Sequence, residues 1–331
     1  MPPKHLRLYF LLLSTFLLLA VALKPSMVSG IPQLVVNVRT DKSTYHYRQM
    51  VTVYGNVTYD GDLVEDGLVA IQVLNPSNTT LALRTVPANT TPSESWDVEI
   101  ISLVTADAGG NPKTIFNRNV FAFFKATLRN NNPSSDKTVL FTITLYDSDS
   151  TPFHLHWLVT TINPGATHEE LVGLWIDEWA SFGNATAYAS VCTDWPKNGG
   201  YPYAPEKNVT FSIVTTQSSP SQPPTIGSAS YQASLRLPPQ APLGTYTVRV
   251  SAYYRGNKDA LNIGIFYRQY ELLGDTVFNR KIDIFDVVKV SVAYGSQGGE
   301  PSWDPESDLD PDGEIDIFDV VIVTSKYGTT Y

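Results

Sequence analysis

The stretch MVTVYGNVTYDGDLVEDGLVAIQVL, residues 50–74, predicts the fold of most of the chain. Apolar and polar residues alternate over residues 50–59, which is typical of a strand with one buried face. The acidic, glycine-containing residues 60–67 allow the chain to turn. Residues 68–74 are then almost wholly apolar and rich in β-branched side chains, which indicates a strand in the protein interior. The stretch therefore predicts neighbouring strands joined by a tight turn.

Similar runs occur on both sides of this stretch, as far as about residue 266. They are LVVNV (34–38), VLFTITLY (139–146), HLHWLVTTI (154–162), NATAYASV (184–191), NVTFSIV (208–214) and GTYTVRVSAYY (244–254). Only HEELVGLWIDEWASF, residues 168–182, carries a weak helical period. Short strands separated by Gly, Pro, Asn and Asp predict all-β sandwiches and exclude a parallel α/β enzyme. No nucleotide-binding motif is present, so no nucleotide is expected as a partner.

The order of these runs predicts how the sandwiches are connected. TDKSTY, VTVYGNV and DGLVAIQV resemble the opening strands of a macroglobulin-like, Ig-type sandwich, and YQASLRLPPQAPLGTYTVRVSAYY resembles its closing segment. The residues between them resemble a CARDB-type adhesion module of archaeal and bacterial surface proteins. This implies a first sandwich split into 31–92 and 224–272, with a second inserted at 95–216. Two sandwiches in series, divided near residue 94, are the alternative.

The N-terminus predicts export from the cell. Basic residues precede an apolar run at 8–23, and Val28 and Gly30 fit the small positions of a signal-peptidase site. Residues 1–30 are therefore expected to be a signal peptide, with the mature chain beginning near Ile31. The alternative is an uncleaved anchor, because the apolar run is almost long enough to span a bilayer.

The composition agrees with a secreted, extracellular protein at the cell surface. The 331 residues include 23 Lys and Arg against 32 Asp and Glu, a net charge of −9. This acidic excess argues against nucleic acid and anionic lipid as partners. The single cysteine, Cys192, excludes an intrachain disulfide and is expected to be a buried, unreactive thiol. Sequons for N-glycosylation occur at Asn56, Asn78, Asn89, Asn184 and Asn208.

The C-terminal residues contain an internal repeat, in which KIDIFDVVKVSVAYGS from Lys281 recurs as EIDIFDVVIVTSKYGT from Glu314. The second copy belongs to the loop DLDPDGEIDIFD, residues 308–319. A twelve-residue calcium loop takes oxygen ligands from positions 1, 3, 5, 7, 9 and 12, with glycine at position 6. Gly313 occupies position 6, and the apolar Ile315 follows at position 8. The ligand positions are occupied, in order, by Asp308, Asp310, Asp312, Glu314 through its backbone carbonyl, Asp316 and Asp319.

The first copy of the loop is less complete. Positions 1, 5, 9 and 12 are occupied by Asp275, Asn279, Asp283 and Asp286. Position 3 is Val277, which has no side-chain oxygen, and position 6 is Arg280, where a positive φ is unfavourable for any residue with a Cβ. The sequence leaves two alternatives open for this loop: weaker calcium binding, or a shape that is kept without metal.

Two such loops, each closed by Asp and followed by a short helix, resemble a type I dockerin repeat over residues 273–331. The resemblance implies folding on Ca²⁺ and binding to a cohesin-like module of another protein. Many dockerins carry small hydroxyl residues at loop positions 10 and 11, whereas this chain has apolar ones. Both helices are also too apolar to bury every face, so either the sandwiches or a partner covers the excess. We expect a partner at Ile284, Phe285, Val288, Ile317, Phe318 and Val321.

Two weaker patterns involve the strands and loops of the sandwiches. His154 and His156 share one face of a predicted strand, which is a metal-ligand spacing, but no third ligand lies nearby in sequence. Trp195, Tyr201 and Tyr203 occur in a Pro/Gly loop, where aromatic rings either stack on sugars or cover the edge of a sandwich.

No catalytic site is predicted. Asp177 and Glu178 are adjacent in sequence and are not placed as two carboxylates across a cleft, which glycoside hydrolysis requires. The expected function is therefore non-catalytic docking of a surface protein, with the sandwiches as adhesive or spacer modules. One alternative is an accessory, carbohydrate-binding component of a polysaccharide-degrading assembly, with a cell-surface glycan as partner. Another is a subunit of a surface layer or filament.

Overall fold

The computed structural model describes residues 33–46, 48–90, 96–214, 229–268 and 272–330. The expected signal peptide, its alternative as an anchor, and residues 215–228, where the second predicted sandwich returns to the first, lie outside the described residues. Neither helix among the described residues is long and apolar enough to cross a membrane.

The described part of the chain is mainly β, as the sequence predicts, and all of the strands predicted from the sequence runs form. In chain order they are β1 (Leu34–Val36), β2 (Arg39–Thr40), β3 (Thr44–Tyr45), β4 (Met50–Gly55), β5 (Val57–Tyr59), β6 (Asp62–Leu63), β7 (Asp66–Leu74), β8 (Thr80–Asn89), β9 (Val98–Ala106), β10 (Ile115–Phe116), β11 (Phe121–Asn130), β12 (Lys137–Tyr146), β13 (Pro152–Ile162), β14 (Thr167–Trp175), β15 (Gly183–Cys192), β16 (Lys207–Ile213), β17 (Tyr231–Arg236), β18 (Gly244–Tyr254) and β19 (Asn257–Arg268). The helices are α1 (Ile284–Ala293) and α2 (Ile317–Ser325), and a single 3₁₀ turn spans Pro196–Asn198.

Strands from two distant parts of the sequence share the first group of sheets. Their orders are β1-β5-β6, β17-β4-β2 and β3-β19-β18-β7-β8. In β4 every second residue is buried, so its alternating sequence places Val51 and Val53 in the core. That core draws on residues 34–88 and 231–266, together with Tyr146.

The intervening strands form two further sheets, ordered β10-β16-β15-β12-β13 and β14-β11-β9. Their core is separate from the first and draws on residues 98–213. The weak helical period at residues 168–182 does not form a helix. Most of this segment is β14, which pairs with β11 along its whole length. Exposed Thr167 and Glu169 alternate there with less exposed His168 and Glu170, which suits a strand with one covered face.

The almost continuous apolar sequences of β7 and β12 have a common cause. Both strands are buried on both faces, because a small apolar cluster joins Ala70 and Leu83 of one group of sheets to Leu140 and Cys192 of the other. Burial also raises the pKa of the Cys192 thiol to about 12, in keeping with an unreactive cysteine.

The two helices surround a small third core. It contains Ile282 and Ile315, the same position of the two repeat copies, and both are fully buried. Each of them pairs with the segment that follows the helix of the other copy. The backbone of Ile282 forms hydrogen bonds with Gly328 and Thr329, whereas the backbone of Ile315 forms them with residues 295 and 296. The internal repeat of the sequence is thus a repeat in the fold.

Candidate metal centre

Three acidic side chains converge in the second loop. Ligand oxygens of Asp308, Asp310 and Asp312 all lie within 4.8 Å of one another. Asp308 is fully buried, Asp310 is partly buried and Asp312 is exposed. The Oδ1 atom of Asp310 is buried and accepts no hydrogen bond from any described residue. An uncompensated buried oxygen of this kind is costly unless a cation or water satisfies it.

The backbone of the loop depends on Gly313. This residue has a φ of +85°, and its N–H donates to Oδ2 of Asp308 at 3.2 Å. A Cβ at this position would overlap the guanidinium group of Arg118. Glycine is therefore required here for its backbone conformation and for the close approach of a side chain.

Asp316 and Asp319 connect the loop to α2. Asp316 is the N-cap and accepts a bond from the N–H of Phe318 at 2.7 Å. The buried Asp319 accepts bonds from the N–H of Asp316 at 2.8 Å and from the N–H of Leu309 at 2.6 Å. These bonds bring the start of the helix next to the start of the loop. The side chain of Glu314 accepts a bond from Gln297 at 3.0 Å.

The electrostatics of the loop favour a bound cation. Burial, together with the charges of Asp319 and Asp312, raises the pKa of Asp308 to about 7, although Arg48 opposes the shift. Burial and the same two carboxylates raise the pKa of Asp310 to about 6. A cation would stabilise the ionised forms, and a set of only oxygen donors suits a hard ion such as Ca²⁺. The side chains of Asp308, Asp310, Asp312, Asp316 and Asp319 and the carbonyl of Glu314 would hold it and would lose their mutual repulsion.

Arg48 is a member of this site that the sequence did not predict. It lies just before β4, is fully buried, and donates to Oδ2 of Asp308 at 2.6 Å. It also donates to Asp149 at 3.3 Å and to Ser181 at 3.1 Å. The indole N–H of Trp303 donates to the same Asp149 oxygen at 2.7 Å. One arginine thus joins both groups of sheets to the first ligand position of the loop.

Arg118 reaches the loop from the other side. It donates to the carbonyl oxygen of Asp312 and, at 2.6 Å, to that of Ala180. Its guanidinium lies 3.5 Å from the ring centre of Phe182, a cation–π geometry. Burial lowers the pKa of Arg118 to about 10, although the nearby acids, Asp308 first among them, oppose that shift. Neither Arg48 nor Arg118 belongs to a sequence motif, and each is remote from the loop in sequence, so only the fold reveals them.

The first loop is already satisfied by its own backbone. Asp275 accepts bonds from the N–H groups of Asn279 and Arg280, at 3.0 and 2.8 Å. Asp286 accepts from the N–H groups of Val277 and Asp283, at 3.0 and 2.8 Å. Among the described residues, only the second loop brings three acidic, His or Cys ligands together.

The remaining groups of the first loop also have partners. Asp283 caps α1 and forms an ion pair with Lys281 at 2.6 Å, and the side-chain oxygen of Asn279 accepts from the N–H of Lys281. Arg280 adopts the positive φ, +71°, that glycine adopts in the second loop. The second loop has equivalent backbone bonds at Asp308 and Asp319, so the loops differ mainly at position 3, where Val277 offers no side-chain oxygen. Weaker calcium binding and a shape kept without metal both stay predictions for the first loop.

The residues expected to contact a partner are all exposed. Their side chains are between 50% and 63% exposed, whereas Val290 and Val323 on the opposite helix faces are fully buried. The exposed residues are Ile284, Phe285 and Val288 of α1 and Ile317, Phe318 and Val321 of α2. We call these six residues the helix surface. The sheets leave it uncovered.

The five sequon asparagines are also exposed. They lie at the surface of both groups of sheets, and Asn89 differs from the others because its side-chain amide donates to the carbonyl of Val64 at 2.7 Å. The glycosylation sites remain predictions from the sequence.

The histidine pair and the aromatic loop predicted from the sequence lie in different surroundings. His154 and His156 lie on β13, where burial lowers the pKa of both, and no group of three metal ligands forms around them among the described residues. Tyr201 stacks on Tyr253 at 6.1 Å between ring centres, away from Trp195. Trp195 instead meets Trp157, at 6.0 Å.

Comparison with known proteins adds little to this geometry. No protein-family model and no curated protein matches the sequence. Among solved structures, the chain is similar to the alkylpurine DNA glycosylase of Pseudomonas fluorescens (12% identity, TM-score 0.27, covering 37% of this chain and 31% of that one). It is also similar to a β-glucuronidase of Bacteroides uniformis (8% identity, TM-score 0.28, covering 50% of this chain and 26% of that one). A third similar structure is red sea bream transglutaminase (12% identity, TM-score 0.25, covering 54% of this chain and 32% of that one). The chain spans about a third or less of each of these proteins, and likenesses this weak carry no argument about activity.

Proposed function

We propose that this protein is a non-catalytic, secreted or cell-surface protein that docks to a cohesin-like partner through a calcium-dependent, dockerin-like module at residues 273–331. The observation that carries the proposal is the acidic loop at 308–319, placed directly before a helix whose apolar residues are exposed. The metal site and part of the docking surface would then lie on one loop and the helix that follows it.

Calcium would support docking by neutralising the acidic loop. The clustered carboxylates have raised pKa values because burial and mutual repulsion disfavour their ionised forms. A bound Ca²⁺ would remove that repulsion and fix Asp316 and Asp319 at the start of α2. The orientation of Ile317, Phe318 and Val321 would then depend on the ion.

The helix surface supports docking through its composition. Aromatic and aliphatic side chains that remain exposed on two neighbouring helices are typical of sites that another protein covers. Apolar residues at loop positions 10 and 11 would make recognition depend on shape and burial. Selectivity by hydroxyl groups is not expected.

The β-rich part of the chain would act as a spacer or an adhesive module. Its two separate cores, one of them built from residues 34–88 and 231–266, support two Ig-like sandwiches in the nested arrangement, with 31–92 and 224–272 forming one and 95–216 the other. The arrangement in series would not by itself pair β17 with β4 or β18 with β7.

The proposal is tested by calcium-dependent capture. The mature chain is immobilised and exposed to secreted and surface proteins of the cells that produce it, with Ca²⁺ or with chelator. Any captured protein is then purified and its binding is measured directly. We expect binding in Ca²⁺ only, and loss of binding in the double variant Phe285→Ser, Phe318→Ser.

The matched control is Leu63→Ser, which removes an apolar side chain that is equally exposed but lies on β6, far from the helices in sequence. It should bind as the unmodified chain does. Binding that persists in chelator, or that is lost equally in the Leu63 variant, would contradict docking through the helix surface.

A further inference from the structure

A cavity of about 670 Å³ opens on the β-rich part of the chain, away from the acidic loop. Its walls come from the turn between β7 and β8, the start of β13, the segment after β14, the 3₁₀ turn and the loop between β17 and β18. Its volume lies within the range of small-molecule sites in proteins. None of the residues in its wall belongs to residues 273–331.

Three tryptophans contribute to this wall. Trp157 is 54% exposed on β13, which is an edge strand of its sheet. Its ring meets that of Trp195 at 6.0 Å with an interplanar angle of 73°, and Trp179 lies almost buried in the same wall. Trp157 thus stays about half exposed on the edge strand although it contacts Trp195. Such a ring is a platform on which a flat apolar ligand surface can stack.

Polar side chains surround the tryptophans without partners of their own. His154, Asp177, Lys197 and Gln240 line the cavity, and none of these four side chains forms a hydrogen bond or ion pair with another described residue. Burial, together with the charge of Glu178, raises the pKa of Asp177. Together the four side chains supply an acceptor, a cation, an amide and an imidazole around one aromatic platform.

We infer that this cavity binds an oligosaccharide, with the indole of Trp157 stacking on a sugar ring and the four polar side chains bonding to its hydroxyl groups. Sugars combine an apolar C–H face with many hydroxyl groups, which is the combination that this wall complements. A lipid would leave the polar groups unsatisfied, and the single lysine gives none of the basic surface that nucleic acid needs. The inference does not depend on the docking function.

Two sources could supply such a sugar. One is a glycan on another molecule or surface. The other is the chain's own N-linked glycan at Asn78, because this exposed sequon residue lies in the wall of the same cavity. A glycan attached at Asn78 would either reach into the cavity or stand beside it.

The experiment begins with the mature chain made without glycosylation and applied to an array of plant, microbial and N-linked glycans. The best-binding oligosaccharide is then titrated by calorimetry. We expect Trp157→Ala to weaken binding roughly tenfold or more, because it removes the stacking platform. Asp177→Asn, which keeps the shape of the side chain, should also weaken binding.

Trp175→Ala is the control. Trp175 is also a partly exposed tryptophan on a strand, where it packs against Phe121, but it does not line the cavity. This variant should keep the full affinity, and chelator should not change the binding of any variant. No binding to any glycan on the array, or equal binding by the Trp157 and Trp175 variants, would overturn the inference.

The glycosylated chain distinguishes the two sources. If the cavity takes an external glycan, glycosylated chain and its Asn78→Gln variant should bind the oligosaccharide equally. If it takes the glycan of Asn78, only the Asn78→Gln variant should bind strongly. Either result supports the cavity as a sugar site and assigns the sugar.

Discussion

Arg48 places a buried positive charge against the acidic loop. Arg48 is fully buried and pairs with Asp308 at 2.6 Å and with Asp149 at 3.3 Å. A carboxylate has lone pairs to spare, so Asp308 can accept from Arg48 and still contribute an oxygen to a cation. Arg48 therefore supplies part of the positive charge that the loop needs, and Ca²⁺ would supply the rest.

We expect Arg48→Met to destabilise the metal-free protein by about 3–5 kcal/mol, because the variant leaves buried carboxylates without their cation. Calcium should reduce this loss. Urea unfolding with Ca²⁺ and with chelator measures both values. The control is Lys125→Met, which breaks an exposed pair with Glu169 and should cost at most about 1 kcal/mol in either condition. Equal effects of the two substitutions would mean that the buried pair has no special role.

Gly313 gives a second test at the scale of one residue. Gly313→Ala should lower the free energy of unfolding through the positive φ and also through the overlap with Arg118. Gly328→Ala is matched to it, since Gly328 has the same φ of +85° but no atom near the position of a Cβ. Gly328→Ala should cost about 1–2 kcal/mol, and Gly313→Ala more. Calcium affinity, measured by titration, should fall only in the Gly313 variant, and a fall in both would assign the effect to the backbone alone.

At the scale of elements, the two loops should differ in calcium binding. The first loop has Val277 and Asn279 where the second has Asp310 and Asp312, and among the described residues only the second loop brings three acidic ligands together. Titration of the metal-free protein should therefore reveal one strong site. Asp310→Asn should weaken it severely, because it replaces a charged ligand. Asp283→Asn, at the helix cap of the first copy, should leave it unchanged, since Asn also caps helices well. Two strong sites would show that the first loop binds calcium despite its sequence.

The acidic loop should also reverse the usual dependence of stability on pH. The pKa values of Asp308, about 7, and Asp310, about 6, lie above the roughly 3.9 of an unfolded aspartate. The folded state therefore binds more protons than the unfolded state between about pH 4 and 7, and the free energy of unfolding of the metal-free protein should fall as pH rises through this window. Melting temperatures of metal-stripped protein at pH 5 and 7.5 test this.

Two comparisons isolate the loop in that pH series. Calcium should raise the melting temperature more at pH 7.5 than at pH 5, because protons compete with the ion. Asp310→Asn should flatten the slope of the metal-free protein. An unchanged slope would assign the trend to other carboxylates, such as Asp147, whose pKa is also raised to about 6 by burial and by Asp149.

The elements show why some features could be predicted from the sequence and others could not. The runs of β4 and β7 follow from local periodicity, and the convergence of Asp308, Asp310 and Asp312 follows from the local spacing of acids around Gly313. β14 was ambiguous because its helical period is weak and its pairing with β11 is not local. Arg48, Arg118 and the cavity around Trp157 depend on segments brought together only by the fold. Their residue types carry no spacing signal.

At the scale of the whole molecule, the acidic loop is joined to the sheets. Arg48 links it to the first group of sheets, while Arg118, Asp149 and Ser181 link it to the second. The loop could respond to calcium independently of the sheets only if few specific contacts joined the two. Buried charge pairs couple the loop to the sheets, because a shift of the loop would leave a buried charge without its partner.

Calcium removal should therefore loosen the sheets where they meet the loop, in addition to residues 273–330. Hydrogen exchange with and without Ca²⁺ measures this directly. Without the ion we expect faster exchange of the Ser181 amide, which donates to Asp147 at 3.0 Å beside the Arg48 pair. Amides of β9 and β11, which pair with each other in the other sheet of this group, should not change. A response confined to the dockerin-like residues would show the junction to be a contact without energetic coupling.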